Sequence, residues 1–256
     1  MLKNEIINWI REYMDQWGGK TKAIIGISGG KDSSIAAALC LEALGNDRVL
    51  GVLMPCGVQK DINDSYKVCE FLNLKYILIN IGSAYRALSD KVEDGLKTLG
   101  GFLSPSWLGA YATNTPARLR MTALYGVAAC LGDCRVVNTG NYSEAYVGYS
   151  TKYGDGAGDF SPLGNLTVRE VLEVGRELEL PSWMINKTPT DGMSGKSDEE
   201  NLGFSYDELD EYLLNGRGDA ETIRKIEALH NMNKHKLENI PKFGTIDMVL
   251  RRMRGY

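Results

Sequence analysis

Ile6, Ile7, Ile10, Tyr13 and Met14, joined by Trp9 and Trp17, recur at helical spacing over residues 4–17, and Gly18-Gly19 ends the stripe. The pattern then changes. Residues 23–27 form a short continuous apolar run, as expected of a strand buried on both faces. An alanine-rich helical segment, 35–44, follows and is closed by Gly45. Residues 49–54 read as a second strand, 63–72 as a helix, 75–79 as a third strand and 83–97 as another helix. Residues 100–110 look irregular. Thr115-Pro116 then predicts a helix start by cap and first-turn proline, running to Leu131, and 135–138 a fourth short strand. Strands and helices alternating over short connections predict an α/β fold, a doubly wound parallel sheet flanked by helices. The C-terminal portion reads as helical: Thr167-x-x-Glu170 caps a helix to Leu178 before Pro181, Ser205-x-x-Glu208 caps 206–214, and Asp219 starts a last helix to about Asn233.

Composition changes this picture little. The 256 residues contain no linker-like or low-complexity run, so one domain spanning 1–256 is expected. A net charge of −4 argues against a broad nucleic-acid-binding surface. No apolar run approaches the ~20 residues of a membrane span, and the N-terminus lacks a signal-peptide core, so no membrane association and a cytoplasmic location are expected. The five cysteines are odd in number and scattered. Cys130 and Cys134, four apart, would share a helix face rather than form a C-x-x-C pair, and free buried thiols are expected.

Chemistry enters at the first strand-to-helix junction, Gly26-Ile27-Ser28-Gly29-Gly30-Lys31-Asp32-Ser33. Two adjacent glycines let the backbone turn sharply, and the helix behind them presents unpaired N–H groups and a positive dipole end, a geometry that grips phosphate. A carboxylate inside such a loop is unfavourable unless a cation joins it to the phosphate, so Asp32 suggests Mg²⁺. The alternative is N-terminal capping by Asp32 or Ser33. The spacing is not that of the common NTPase loop. The match is S-G-G-x-D-S, which resembles the ATP pyrophosphatase loop of enzymes that adenylate a substrate.

Residues 139–166 are the second unusual stretch, with six glycines and three acidic residues, too long for an ordinary connection, while Tyr142, Tyr146, Tyr149, Tyr153 and Phe160 argue against disorder. In a doubly wound sheet ligands bind outside the carboxyl ends of the strands where the order reverses. With the glycine loop leaving strand one and this stretch leaving strand four, Glu144 can approach Asp32, and two carboxylates plus phosphate oxygens make a hard-oxygen Mg²⁺ site. Taken alone, Glu144 also reads as a surface helix charge.

The segments G-I-S-G-G-K-D-S, M-P-C-G-V-Q-K-D-I-N-D-S, N-T-P-A-R-L-R-M, S-E-A-Y-V-G-Y-S-T-K-Y-G-D-G-A-G-D-F-S-P-L-G, K-T-P-T-D and a late H-K together resemble ammonia-dependent NAD⁺ synthetase, in that family's order over nearly the whole chain. The resemblance implies that ATP activates the nicotinate carboxylate of deamido-NAD⁺ as an acyl adenylate, releasing pyrophosphate, and that ammonia displaces AMP. By position it places Gly26 to Ser33, Thr139 and Thr190 on ATP, Asp32 and Glu144 on Mg²⁺, Arg118, Lys152, Asp159, His235 and Lys236 on deamido-NAD⁺, and Asp155 at the ammonia site. A carboxylate there could bind NH₄⁺ and take its proton. The resemblance also implies a homodimer. It gives Lys31 no catalytic role, because that loop position varies in the family. Two positions depart from the family pattern: Val168 stands where an ATP-contacting lysine is usual, next to Arg169, and Leu53 where some members have arginine. Glutamine-dependent relatives carry an amidase domain for which this chain has no room. A tRNA-modifying ATP pyrophosphatase shares the glycine loop but usually pairs cysteines as C-x-x-C, and a non-catalytic adenine-nucleotide binding module would need the loop but not Glu144, Asp155 or the His235-Lys236 pair.

Overall fold

The computed structural model describes residues 1–59, 61–98, 107–187 and 197–244, together with Met253. Helix α1, Leu2–Asp15, buries Ile6, Ile7, Ile10 and Met14 and leaves its other face in solvent. Strand β1, Lys22–Gly26, carries Ala23, Ile24 and Ile25, all fully buried. Its side chains alternate between two cores: Ala23 and Ile25 meet the helices of one layer, while Ile24 faces the helix on the other. Helix α2, Lys31–Leu44, is buried without interruption from Ser33 to Cys40. A helix enclosed on all sides has no polar stripe, which accounts for its alanine-rich sequence.

Strand β2 is Val49–Leu53, helix α3 Ile62–Phe71, strand β3 Tyr76–Leu78, helix α4 Gly82–Lys97, helix α5 Trp107–Leu131 and strand β4 Cys134–Val136. The four strands pair in parallel in the order β3-β2-β1-β4, with Ala23 opposite Val49 and Ile24 opposite Val136. The chain therefore winds outward from β1 to β3 and then crosses to the far side of β1. The reversal between β1 and β4 is the crevice in which α/β sheets of this kind bind ligands. Helix α6, Tyr142–Val147, follows β4. Helices α7 (Val168–Glu177), α8 (Ser182–Ile185), α9 (Asp198–Leu202), α10 (Tyr206–Asn215) and α11 (Ala220–Asn233) complete the C-terminal portion, and a third core, with Val147, Phe204, Leu209 and Ile226, ties it to α6 and α7.

Four sequence expectations are corrected. Helix α5 begins at Trp107, so Thr115 and Pro116 lie inside it rather than at its start. An internal proline removes one ladder hydrogen bond at a cost of about 3 kcal/mol, and here both residues are buried in a 25-residue helix whose packing offsets that loss. Cys130 and Cys134 do not share a helix face: α5 ends at Leu131, Gly132 turns the chain at φ +88°, and Cys134 is on β4. All five thiols are free, but only Cys40, Cys69 and Cys134 are buried, with Cys56 half-buried and Cys130 exposed. The long stretch 139–166 is also not all loop, since it contains α6. Most of residues 100–110 before α5, and the tail arginines Arg251, Arg252 and Arg254, fall outside the described residues.

Candidate active site

The turn from β1 into α2 is held by its own small side chains. The Ser28 backbone N–H donates to Ser33 Oγ at 3.3 Å, the two serine hydroxyls pair at 3.0 Å, and the Gly30 N–H donates to Ser28 Oγ at 3.2 Å. Ser34 Oγ donates to the Gly30 carbonyl at 2.7 Å. Gly30 is the N-cap, and no side chain caps the helix there, so neither Asp32 nor Ser33 takes the capping role. A helix start without a side-chain cap keeps N–H donors available to an anion. Gly29 turns at φ +78°, and a Cβ on it would lie 2.8 Å from the Ser65 backbone nitrogen. This loop is thus pressed against the first turn of α3. A cleft of about 940 Å³ opens beside Gly29, lined by Asp64, Phe71, Trp183 and Lys187 among others, next to the loop rather than over Asp32.

Asp32 points across the crevice to the loop that leaves β4. Asn141 Nδ2 donates to Asp32 Oδ1 at 3.1 Å, and the same Asn141 caps α6, its Oδ1 accepting the Glu144 N–H at 3.0 Å while Glu144 Oε2 accepts the Asn141 N–H at 3.3 Å. One asparagine therefore fixes both Asp32 and Glu144. Desolvation, then the neighbouring Asp32 charge, push the Glu144 carboxyl well above the ordinary carboxylate range. Lys31 does not extend toward solvent. It is 4% exposed, and its ammonium sits 2.8 Å from Asp32 Oδ2 and 5.7 Å from the centre of the Tyr206 ring. Burial works to lower its pKa, but Asp32 and then Glu144 outweigh it, with a smaller push from Asp198, and the net shift is upward. Thr139 lies at the carboxyl end of β4 on the same edge of the sheet, while Thr190 falls outside the described residues.

Most of the remaining predicted residues meet at a second place, around the turn 148–156. Arg118 Nε donates to the Lys152 carbonyl at 3.2 Å, and Lys152 Nζ donates to the His235 carbonyl. Lys236 Nζ donates to the Gly148 and Ser150 carbonyls at 2.7 and 3.0 Å. Asp155 accepts the Thr151 N–H at 2.9 Å, and desolvation raises its carboxyl against that hydrogen bond. His235 and Arg118 are exposed at the rim of this cluster. Asp159 stands apart, accepting the Tyr125 hydroxyl at 3.0 Å and the Val136 N–H at 2.7 Å, so its carboxylate braces β4 against α5.

Four residues of the site are absent from the sequence reading. Asn141 bridges the two acidic residues. Asp198 and Tyr206, from α9 and α10, come to the Asp32 and Glu144 side although more than fifty residues away. Arg120 is half-buried, donating to the Met54 carbonyl at 3.0 Å, and desolvation lowers its pKa against the opposing pull of Cys56, Asp155 and Asp61. Asn141 was detectable as the first member of N-x-x-E, a capping box with asparagine in place of serine. The other three carry no local signal.

Comparison with known proteins agrees with this geometry. The NAD synthase family profile matches residues 2–242. An NH₃-dependent NAD⁺ synthetase of Carboxydothermus hydrogenoformans is 38% identical over 240 residues, covering 93% of this chain and 94% of that protein. Among solved structures, NMN synthetase from Francisella tularensis superposes with a TM-score of 0.84 at 30% identity, covering 95% of this chain and 98% of that one. NH₃-dependent NAD synthetase from Campylobacter jejuni superposes at 0.70 and 27% identity, with 95% and 97% covered. With the glycine loop, the β1/β4 crevice and a near full-length profile match in agreement, this chain belongs to the NAD synthase family.

Proposed function

We propose that the protein amidates deamido-NAD⁺ to NAD⁺: the nicotinate carboxylate attacks the α-phosphorus of ATP, pyrophosphate leaves, and ammonia displaces AMP from the acyl adenylate. The observation that carries this reading is the Asn141 bridge, which brings a phosphate loop and a second acidic residue from opposite sides of the crevice into one site. The uncapped first turn of α2 and the Ser28 and Ser33 hydroxyls bind the phosphates, with Thr139 on the same edge. Arg118, Lys152, His235 and Lys236 lie together on the dinucleotide side, although Lys152 and Lys236 spend their ammonium groups on backbone carbonyls. Their role is thus to shape the turn as much as to offer charge. Asp159, engaged by Tyr125 and β4, would contact the dinucleotide only from the β4 edge. Asp155, held by Thr151 with its carboxyl raised, receives a proton from ammonium more readily than an ordinary aspartate.

Asp32 and Glu144 suit Mg²⁺. They are hard-oxygen donors close enough that Asp32 raises the proton affinity of Glu144, which a shared cation would relieve. Among the described residues no three acidic or metal-ligating side chains form a closed site. Water and phosphate oxygens would supply the remaining ligands of the ion. When bound, Mg²⁺ neutralises charge on the departing pyrophosphate.

A homodimer is supported by the surface of α4, where only Gly82 is buried, and by the open edge of β3, where Tyr76, Ile77 and Leu78 are 45, 38 and 51% exposed. Free thiols throughout fit a reducing, cytoplasmic setting. No described helix is long and apolar enough to cross a membrane.

A second reading differs only in the acceptor. The closer superposition on an NMN synthetase favours the corresponding nicotinate mononucleotide. One assay separates the two: ATP, Mg²⁺ and ammonium with either deamido-NAD⁺ or nicotinate mononucleotide, following the amide and pyrophosphate. Preferred turnover of the dinucleotide supports the first reading, and preferred turnover of the mononucleotide replaces it. Absence of either product with ATP bound leaves a nucleotide-binding module.

A further inference from the structure

Lys31 is the first residue of α2, directly after the glycine turn. It turns inward and is almost fully buried. An ammonium at the positive end of a helix is electrostatically misplaced, and burial adds to the cost. What offsets both is an acidic pocket drawn from three separate helices: Asp32 of α2 in direct contact, with Glu144 of α6 and Asp198 of α9 attracting the same charge. The ring of Tyr206 from α10 lies beside it. The Tyr206 hydroxyl is buried, has no hydrogen-bond partner, and is within the influence of Glu144, Asp198 and Asp32. A buried hydroxyl with no protein partner beside these carboxylates takes its hydrogen bond from a water or a bound ligand.

Both oxygens of Asp32 are engaged, Oδ1 by Asn141 and Oδ2 by Lys31. Each oxygen keeps a second lone pair, but a divalent cation arriving there meets the Lys31 ammonium, 2.8 Å from Oδ2, and like charges so close repel. The Asn141 contact belongs to a side chain already held in place by the α6 cap, whereas Lys31 is a flexible chain that can swing away. We propose that Lys31 is a tethered cation that fills the acidic pocket before nucleotide arrives and gives up Asp32 to the incoming divalent ion, turning its ammonium to the phosphates. The inference rests on the assignment of Asp32 to the metal. Without nucleotide, metal entry strands a buried ammonium; with ATP present, the phosphates receive it. Lys31 is thus a positioning residue. It holds Asp32 and Glu144 in register and couples metal binding to ATP binding, and that coupling acts equally in both directions.

The test is Mn²⁺ binding by calorimetry and by the electron paramagnetic resonance of free Mn²⁺, with and without α,β-methylene-ATP, for wild type, Lys31→Met, Lys31→Gln and Asp32→Asn. Removing the competing ammonium should tighten Mn²⁺ binding about tenfold without nucleotide, and should weaken the mutual enhancement of Mn²⁺ and analogue by a similar factor. The metal-free melting temperature of both Lys31 variants should fall and be restored by Mn²⁺. Nucleotide-free Mn²⁺ affinity equal to wild type in both folded Lys31 variants, with Asp32→Asn abolishing binding in the presence of the analogue, overturns the inference while leaving the metal assignment standing. Undiminished binding by Asp32→Asn with the analogue removes the metal assignment, and the inference with it.

Discussion

Asp32, Glu144 and Gly29 carry consequences that single substitutions can measure. Asp32→Asn and Glu144→Gln keep shape and remove charge, so each should lower the rate of NAD⁺ formation by about 10²–10³-fold with an unchanged circular dichroism spectrum. Gly29 combines a positive φ with a contact of 2.8 Å at its missing Cβ. Gly29→Ala should cost about 1–3 kcal/mol in denaturant unfolding and weaken ATP binding, because the loop must leave α3 to accommodate the methyl group. Asp155→Asn separates the two half-reactions: amide formation should fall by about 10²-fold while substrate-dependent exchange of pyrophosphate into ATP persists. Full amidation by that variant removes Asp155 from the ammonia step. Much of this was legible in the residues themselves, since Gly29, Asp32 and their neighbours announce their chemistry within eight consecutive positions. Asp198 and Tyr206 do not, because nothing local ties them to a loop more than 160 residues earlier.

The helices divide along the same line. Thr167 and Glu170, and Ser205 and Glu208, form the reciprocal caps expected from their spacing, with the Thr167 N–H donating to Glu170 at 2.8 Å and the Ser205 N–H to Glu208 at 2.8 Å. Capping depends on residues three apart and survives whatever the tertiary context. Thr167→Ala should accordingly cost about 1 kcal/mol of stability. Pro116 shows the opposite, since long-range packing decides whether a proline opens a helix or interrupts one. In α2, Cys40 is fully buried, and burial pushes its thiol from the ordinary 9.0 up to about 12. Because the folded-state pKa is raised, this stabilisation is complete below pH 9 and is lost as pH climbs from 9 through about 12, with Cys69, at about 11, acting in the same direction. Cys40→Ala should therefore flatten the alkaline fall in melting temperature between pH 9 and 11, and an equally steep fall in the variant would assign it to other groups.

At the scale of the whole molecule, the sheet leaves β3 and α4 with apolar surface facing outward, including Leu88 at 41% exposure. Light scattering should give about twice the 28.2 kDa chain mass, and Leu88→Glu should shift the population toward the monomer with the fold retained. A wild-type monomer at micromolar concentration would remove the dimer from the proposal.

Periodicity, caps and a glycine loop are local, with information within one or two turns of chain, so the sequence by itself determined the α/β class, most element positions, the glycine loop and the acid in it. The tertiary structure decided what lies between elements: the strand order that puts β4 beside β1, Asn141 as the bridge between two carboxylates, and the pocket that closes over Lys31. Lys31 makes the division plain. Its neighbours in the chain give it only a place in a glycine loop, and acidic side chains from three separate helices offset the burial of its charge.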